Sequence, residues 1–410
     1  MIENYTENYA RIWELCPDQL PEFPGIYSRN EKLQKESRLD EFLKMVKSFR
    51  KDSVRSMLKN ESAQEKFLMQ TKEFLASGLD FSPAQLEMMF SDQMIDFTRT
   101  FVRQARSFDS QLQYEDIFQA CRNAWIMAGL QLIMGIPMRV TPSVFAYSML
   151  YPYTDNMIDH PGISNLEKLL FSERFRMRLA GMEVKPQNLI EASVYQLVEM
   201  IENEYSRTDY PEVFESLLSI HKAQTESIKL IQHPELSENE TLKICLAKGG
   251  SSVLTDGFLI AGRLTSEQQN FLFGFGAYLQ LLDDIQDVAD DYQDGLMTVF
   301  SKSVHETPLD SKLNKTYWFG EEMMKSLDYF EGRHIALFKS LMRRSMDLFI
   351  AEAIAQNHNL FTRNYTAEFE THAPFHFEFI RKQKDRLTPY KGFLVSAIEE
   401  ITLQESLLGR

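Results

Sequence analysis

The chain of 410 residues is short of cysteine, of positive charge and of long uninterrupted apolar runs, and each shortage removes a class of protein. Three cysteines are present, Cys16, Cys121 and Cys245, far apart in the sequence. An odd and widely spaced set yields neither a disulfide framework nor a CxxC metal site, and it fits a reducing cytoplasm. Lys and Arg number 44 against 59 Asp and Glu, a formal net charge of −15. Such a balance repels a phosphate backbone and supplies no basic footprint, so nucleic acid is excluded as a partner. The longest apolar stretch, Ala124 to Met138, is interrupted by Gln131 and Pro137. It falls short of the ~20 residues a membrane span requires, and it reads as a buried core helix. The opening residues, MIENYTENYARIWELC, have no basic region followed by an apolar one and do not read as a signal peptide. Peripheral membrane contact stays open, although no strongly basic amphipathic helix supports it.

Alternating strand-like runs bounded by hairpin turns are also lacking. Apolar residues recur instead at three- and four-residue spacing, as in Phe42, Val46, Phe49 and in Phe214, Leu217, Leu218, which predicts an all-α chain. Breaks fall at Pro21 to Gly25, His160 to Gly162, Lys185-Pro186, His233-Pro234 and Thr307-Pro308. Ser237 with Glu240 and Thr265 with Gln268 have the spacing of capping boxes that start helices. With no repeat, low-complexity tract or flexible linker, the sequence suggests an N-terminal extension over 1–40 and one helical bundle over 41–410, with a cavity between helices.

The most informative stretch is Leu281-Leu282-Asp283-Asp284-Ile285-Gln286-Asp287-Val288-Ala289-Asp290-Asp291. On one continuous helix Asp283, Asp287 and Asp291 share a face, flanked by Asp284 and Asp290, with Leu281, Ile285, Val288, Ala289 and Tyr292 on the opposite, core-packed arc. Carboxylates one turn apart repel. From Leu264 to Ser301 there is no Lys or Arg, so the compensating charge is not local, and a hard divalent cation with oxygen ligands suits the site. Mg²⁺ fits well, because it binds through one or two carboxylates plus substrate phosphates. A solvated acidic face would more often use Glu, a better helix former, with interleaved Lys.

Upstream, Asp155 and Asp159 lie one turn apart in Tyr151-Pro-Tyr-Thr-Asp155-Asn156-Met-Ile-Asp159, again in a region without Lys or Arg, from Val140 to Glu167. Lys248-Gly249-Gly250-Ser251-Ser252 puts two glycines into an apolar helical run. The pair reads either as a break that exposes N–H donors beside Lys248 and Ser252, or as a point of close helix packing with Lys248 reaching solvent. Arg122, Arg263 and the group Arg381, Lys382, Lys384, Arg386 are further cations. Aromatic residues are plentiful, with 30 Phe, 16 Tyr and 3 Trp. Phe145, Tyr147 and Tyr151 precede the first acidic pair and are candidates to line a cavity, Gly276 would leave room for a ligand, and His221 with Gln224 form a polar patch on a helical segment. His372 and His376 are one turn apart, but Pro374 between them argues against a zinc helix.

Asp155-Asn156-xx-Asp159 and Asp283-Asp284-xx-Asp287 together resemble the two acidic motifs of the class I terpenoid synthase and isoprenoid synthase superfamily, over roughly residues 100 to 400. Asp283, Asp287 and Asp291 also occupy the positions of that superfamily's NSE-type triad, with Asp in place of Ser/Thr and Glu, and Asn156 replaces the second Asp of the first motif. The phrases YPYTDNMID, KGGSSVL and LDDIQDVADDYQDG are most similar to the large bacterial terpene synthases of the tetraprenyl-β-curcumene synthase type. The resemblance implies an all-α bundle in which Asp155, Asp159, Asp283, Asp284, Asp287 and Asp291 hold Mg²⁺, three ions with substrate bound. It further implies a prenyl diphosphate substrate of long chain, with Lys248, Ser252, Arg263 and Arg122 as candidates to bind the diphosphate. Arg386 and Tyr390 approximate a late basic-plus-Tyr pair. Head-to-head condensation, as in squalene and phytoene synthases, and prenyl chain elongation are the rival reactions. Elongation is disfavoured by the lack of a Gly-Gly-Lys-Arg-like segment. A catalytically silent protein that binds prenyl diphosphate or metal is the reading from a different class.

Overall fold

A computed structural model describes residues 2–23, 25–51, 61–159, 162–305, 307–330, 332 and 334–383. Within these, all regular structure is helical and no strand occurs. In chain order the α-helices are α1 (Glu3–Leu15), α2 (Arg29–Lys51), α3 (Glu61–Leu79), α4 (Pro83–Met89), α5 (Asp92–Phe108) and α6 (Tyr114–Ile133). There follow α7 (Pro142–Asp159), α8 (Asn165–Leu179), α9 (Leu189–Glu204), α10 (Pro211–Ser227), α11 (Lys229–Gln232) and α12 (Glu238–Ala261). The remainder are α13 (Ser266–Gln286), α14 (Val288–Gln293), α15 (Asp310–Ser326), α16 (Ile335–Gln356) and α17 (Arg363–His372). Every break read from Pro and Gly falls between two of these helices. The capping boxes at Ser237 and Thr265 are formed, each hydroxyl accepting the N3 amide while the N3 side chain accepts the cap amide.

The chain divides into two compact units, one of residues 1–21 and 122–335, the other of 22–121 and 336–410. This partition differs from the division at residue 40 read from the sequence, and that boundary falls inside α2. The opening helix α1 belongs to the first unit, where it packs on α12, α13 and α15. The reason is its apolar stripe: Tyr9 and Trp13 are buried, Tyr9 donates to the Asn270 carbonyl at 2.6 Å and Trp13 Nε1 donates to Thr316 at 3.1 Å.

At the centre of the first unit α12 lies against α13, with α10, α7, α1 and α15 around the pair. Gly249 and Gly276 make this contact possible. A Cβ on Gly249 would stand 2.4 Å from the Gly276 carbonyl oxygen, and one on Gly276 would stand 2.2 Å from that of Gly249. α12 is long and apolar enough to cross a membrane, but 72% of its apolar window is buried by neighbouring elements of the fold. The Ala124 to Met138 stretch supplies the buried end of α6, through Ala124, Met127, Ala128, Leu130 and Ile133. In the second unit Leu39, Leu43 and Phe375 form a core with Phe74, Leu79 and Phe379.

Candidate active site

The acidic segment after Leu281 is not one uninterrupted helix. α13 ends at Gln286 and α14 starts at Val288, with Asp287 between them at φ −93° and ψ 8°. The amides of Asp287 and Asp291 still bond to the carbonyls of Asp283 and Asp287, so the path stays close to helical across the kink. Asp283, Asp287 and Asp290 are exposed and Asp291 is half-buried, whereas Asp284 is 3% exposed. On the opposite arc Leu281, Ile285 and Val288 are buried as read from the sequence, but Ala289 and Tyr292 are exposed. The pattern read from the wheel therefore holds as far as Val288 and fails beyond it.

Asp284 accepts a bond from Gln280 at 2.8 Å, lies beside the Cys245 thiol, and keeps Oδ2 without a hydrogen-bond partner. Loss of water raises its pKa to about 6, against the pull of Gln280 and Lys248. Asp291 is pushed up to about 7, first by burial and then by Asp284, Asp287 and Asp283, while Lys248 opposes the shift. The same environment drives the Cys245 thiol well above its usual range, through burial and then Asp284. Four Asp carboxyls from the α13–α14 junction therefore act on one another, with Lys248 of α12 as the cation among them.

Lys248 stands in an unbroken helix. α12 runs through Gly249 and Gly250 without interruption, so the N–H donors expected at a break are instead committed within the helix, and the glycines serve close packing. Gly276 has the same role: the space where its side chain would be is filled by the Gly249 backbone, not by a cavity for ligand. One turn beyond Lys248, Ser252 is joined to Tyr151 of α7 by a 2.6 Å hydrogen bond between hydroxyls. Tyr147 lies edge-on to Tyr151 with ring centroids 5.6 Å apart. This polar contact holds the helix that carries Asp155 and Asp159 against the helix that carries Lys248. The side chains of Asp155 and Asp159 lie outside the described residues, as do those of Asn156, Lys384, Arg386 and Tyr390.

Tyr147, Tyr151, Leu150 and Thr154 of α7 form one wall of a cavity closed by Phe175 and Leu179 of α8 and by Leu217, Ile220, His221 and Gln224 of α10. Its free volume is about 30 Å³, room for one or two waters. His221 Nε2 donates to the Ser172 carbonyl at 3.0 Å, and burial holds its pKa below the usual histidine value. Phe145 is buried and is not part of the cavity wall. Arg263 does not join the site. Arg263 lies past the far end of α12, about 20 Å along the axis from Lys248, where it donates to the Asp209 carbonyl at 3.0 Å. Arg122 is exposed. His372 and His376 are engaged separately, with the Gly25 carbonyl at 2.6 Å and with Glu36 at 2.8 Å.

One buried acid was missed by the sequence reading. Asp256 is fully buried on α12, accepts from Asn123 at 3.1 Å and leaves Oδ2 without a partner. Burial drives its pKa well up, against the pull of the Asn123 amide. The signal was present: Lys248, Ser252 and Asp256 follow one another at four-residue spacing through an apolar helix, a polar stripe of the kind that faces a functional interior.

Among the described residues no three His, Cys, Asp or Glu side chains are gathered closely enough to enclose a metal ion. The donor set nevertheless suits Mg²⁺: oxygen ligands only, with Asp284 and Asp291 raised in pKa first by burial, and with an orphaned oxygen on Asp284. Compared with known protein families, with curated proteins and with solved structures, the chain matches none.

Proposed function

We propose that the protein is a Mg²⁺-dependent class I terpene synthase, acting in a reducing cytoplasm on a prenyl diphosphate of long chain. In this reading it releases diphosphate and forms a cyclic or linear terpene. The observation that carries the proposal is the set of carboxyls that act on one another at the α13–α14 junction, with Lys248 among them and Ser252, one turn on, bonded to Tyr151 of a tyrosine-lined cavity. Asp283, Asp284, Asp287 and Asp291, with Asp155 and Asp159, would hold the metal. Mg²⁺ bound there supplies Lewis-acid neutralisation of the charge that develops on the leaving diphosphate.

The chain's own groups have separate tasks. The Lys248 ammonium, half-exposed and in no ion pair among the described residues, would take a diphosphate oxygen as a charge-assisted hydrogen bond. Ser252 is positioned for the same ligand by Tyr151. The faces of Tyr147 and Tyr151 tolerate positive charge by cation–π attraction, and Leu150, Leu217 and Ile220 keep water from an allylic cation.

The test is incubation of the full chain with Mg²⁺ and prenyl diphosphates of increasing length, measuring inorganic diphosphate and extractable hydrocarbon together. The expected outcome is matched release of both, with Asp287→Ala reducing turnover at least a hundredfold, roughly the scale of losing one stabiliser of transition-state charge, while helical circular dichroism is retained. Wild-type turnover in Asp287→Ala overturns the site.

Asn156 in place of the first motif's second Asp, and Asp in place of Ser/Thr and Glu in the triad, favour a second reading, a catalytically silent binder of prenyl diphosphate. The cavity's free volume of about 30 Å³ is far below the ~300 Å³ at which small-molecule pockets begin, so a prenyl chain enters only if side chains of α8 or α10 move. Mg²⁺-dependent binding without diphosphate release would select this alternative.

A further inference from the structure

A larger cavity, about 160 Å³, lies elsewhere in the first unit, framed by α1, the first turn of α12, the turn at Val299 to Ser303 and α15. Its walls include Trp13, Glu238, Val299, Lys302, Lys312 and Lys315. In a chain with a net charge of −15, three ammonium groups converge on this one space. All three act on Glu238: its hydrogen bond to Lys312 comes first, and the fields of Lys312, Lys302 and Lys315 add to it in holding the carboxyl below its usual range.

The hydrogen bonds of the three lysines are unequal. An ammonium has three donors and no acceptor. Lys312 spends its donors on Glu238 at 2.8 Å, on the Val299 carbonyl at 3.4 Å and on the Ser303 hydroxyl. Lys302 donates to the carbonyls of Pro234, at 3.1 Å, and Leu236. Lys315 donates only to the Glu14 carbonyl, at 2.9 Å, with its Nζ 5.5 Å from the centroid of the Trp13 ring. Carbonyls position an ammonium without cancelling its charge. Among the described residues, Lys302 and Lys315 thus bring two positive charges to the cavity with no carboxylate at ion-pair distance, and they retain one and two donors. Of the two acidic groups that line it, Glu238 is ion-paired with Lys312, while Glu14 is oriented by the Asn239 amide at 2.6 Å without a cation partner among the described residues, so the lysines outnumber the carboxyls by three to two. The N-terminal end of α12, a helix of 24 residues, adds the positive end of its dipole.

We infer that this cavity is a binding site for a small phosphate-type oxyanion, with Lys302 and Lys315 as its charged ligands and the Trp13 indole as its apolar wall. Free phosphate, diphosphate and the head of a phosphate ester share this chemistry. The site is separate from the acidic one and does not depend on the terpene synthase reading.

Inorganic phosphate and inorganic diphosphate are the probes, titrated into the full chain by calorimetry without Mg²⁺ at low ionic strength, where ammonium–phosphate attraction is least screened. The expected result is saturable binding that also raises the melting temperature. Lys315→Met and Lys302→Met, which keep apolar stems, should each weaken it roughly tenfold, as loss of one charge-assisted bond does. Arg263→Met, an exposed cation at the far end of α12, should leave it unchanged. Absence of saturable binding with a Kd tighter than ~1 mM, that is stronger than about 4 kcal/mol, overturns the site. So does wild-type affinity in both lysine variants, and so does binding that is lost in Lys248→Met instead.

Discussion

The carboxyl of Asp284 has traded water for the Gln280 amide and the Cys245 thiol, and its pKa of about 6 stands above the 3.8 of an unperturbed Asp. Asp291, at about 7, is raised by burial and by the other carboxyls. Between the unfolded value and these native values the folded chain holds more protons than the unfolded one. The sign follows directly: the contribution to stability is complete below pH 3.8 and is lost as pH rises through about 6 to 7. The Asp284→Asn, Asp291→Asn double variant should therefore lose much of the fall in melting temperature that the native chain shows between pH 5 and pH 8. The difference should amount to a few degrees, since 1 kcal/mol moves a domain of this size by about 2–4 °C. Mg²⁺, which pairs with the ionised carboxylates, should raise the native chain's melting temperature at pH 8 and have little effect on the variant. Parallel pH profiles in the two proteins would remove Asp284 and Asp291 from this account. Sequence reasoning found the carboxyls but placed Asp284 at the flank of the same face as Asp283, Asp287 and Asp291. Its burial depends on Cys245 and Gln280 standing on either side of it, which no helical wheel contains.

At the scale of helices, capping boxes and Pro-Gly breaks located the element boundaries because they are local: a cap needs only its own first turn, and a break only its own dihedrals. The two glycine sites show the opposite. Gly276 read as room for ligand, and Gly249 either as exposed backbone or as a point of close helix packing; the structure selects packing for both, since each is a glycine because the other helix passes through the place a methyl group would occupy. Gly249→Ala should therefore force α12 and α13 apart and destabilise the first unit by about 1–3 kcal/mol or more, the ordinary cost of overpacking. Thermal unfolding measures this. An unchanged transition would mean that the helices can separate freely, and the position of Lys248 relative to the acidic junction would then be loosely held. The kink at Asp287 belongs to the same scale. The hydrophobic period predicts one helix over Leu281 to Asp291, whereas the helix is interrupted at Asp287, and Ala289 and Tyr292 beyond it are exposed.

For the molecule as a whole, the first 21 residues are part of the unit that carries the candidate site. A truncation starting at Glu22 should consequently lower the melting temperature and speed proteolysis of the first unit, since removing a buried aromatic such as Trp13 costs about 3–5 kcal/mol by itself. A truncated chain as stable and protease-resistant as the full one would contradict the packing of α1 on α12, α13 and α15. What the sequence determined unaided was the all-helical class, the positions of the breaks and the two acidic segments, because periodicity, capping and charge spacing are properties of neighbouring residues. Only the tertiary structure decided that α1 is core rather than extension, that Asp284 and Asp256 are buried, and that Arg263 stands apart while Lys248 and Ser252 meet the acidic junction and Tyr151. Those outcomes rest on packing between residues far apart in the chain, where desolvation and close contact, not local preference, set each side chain's environment.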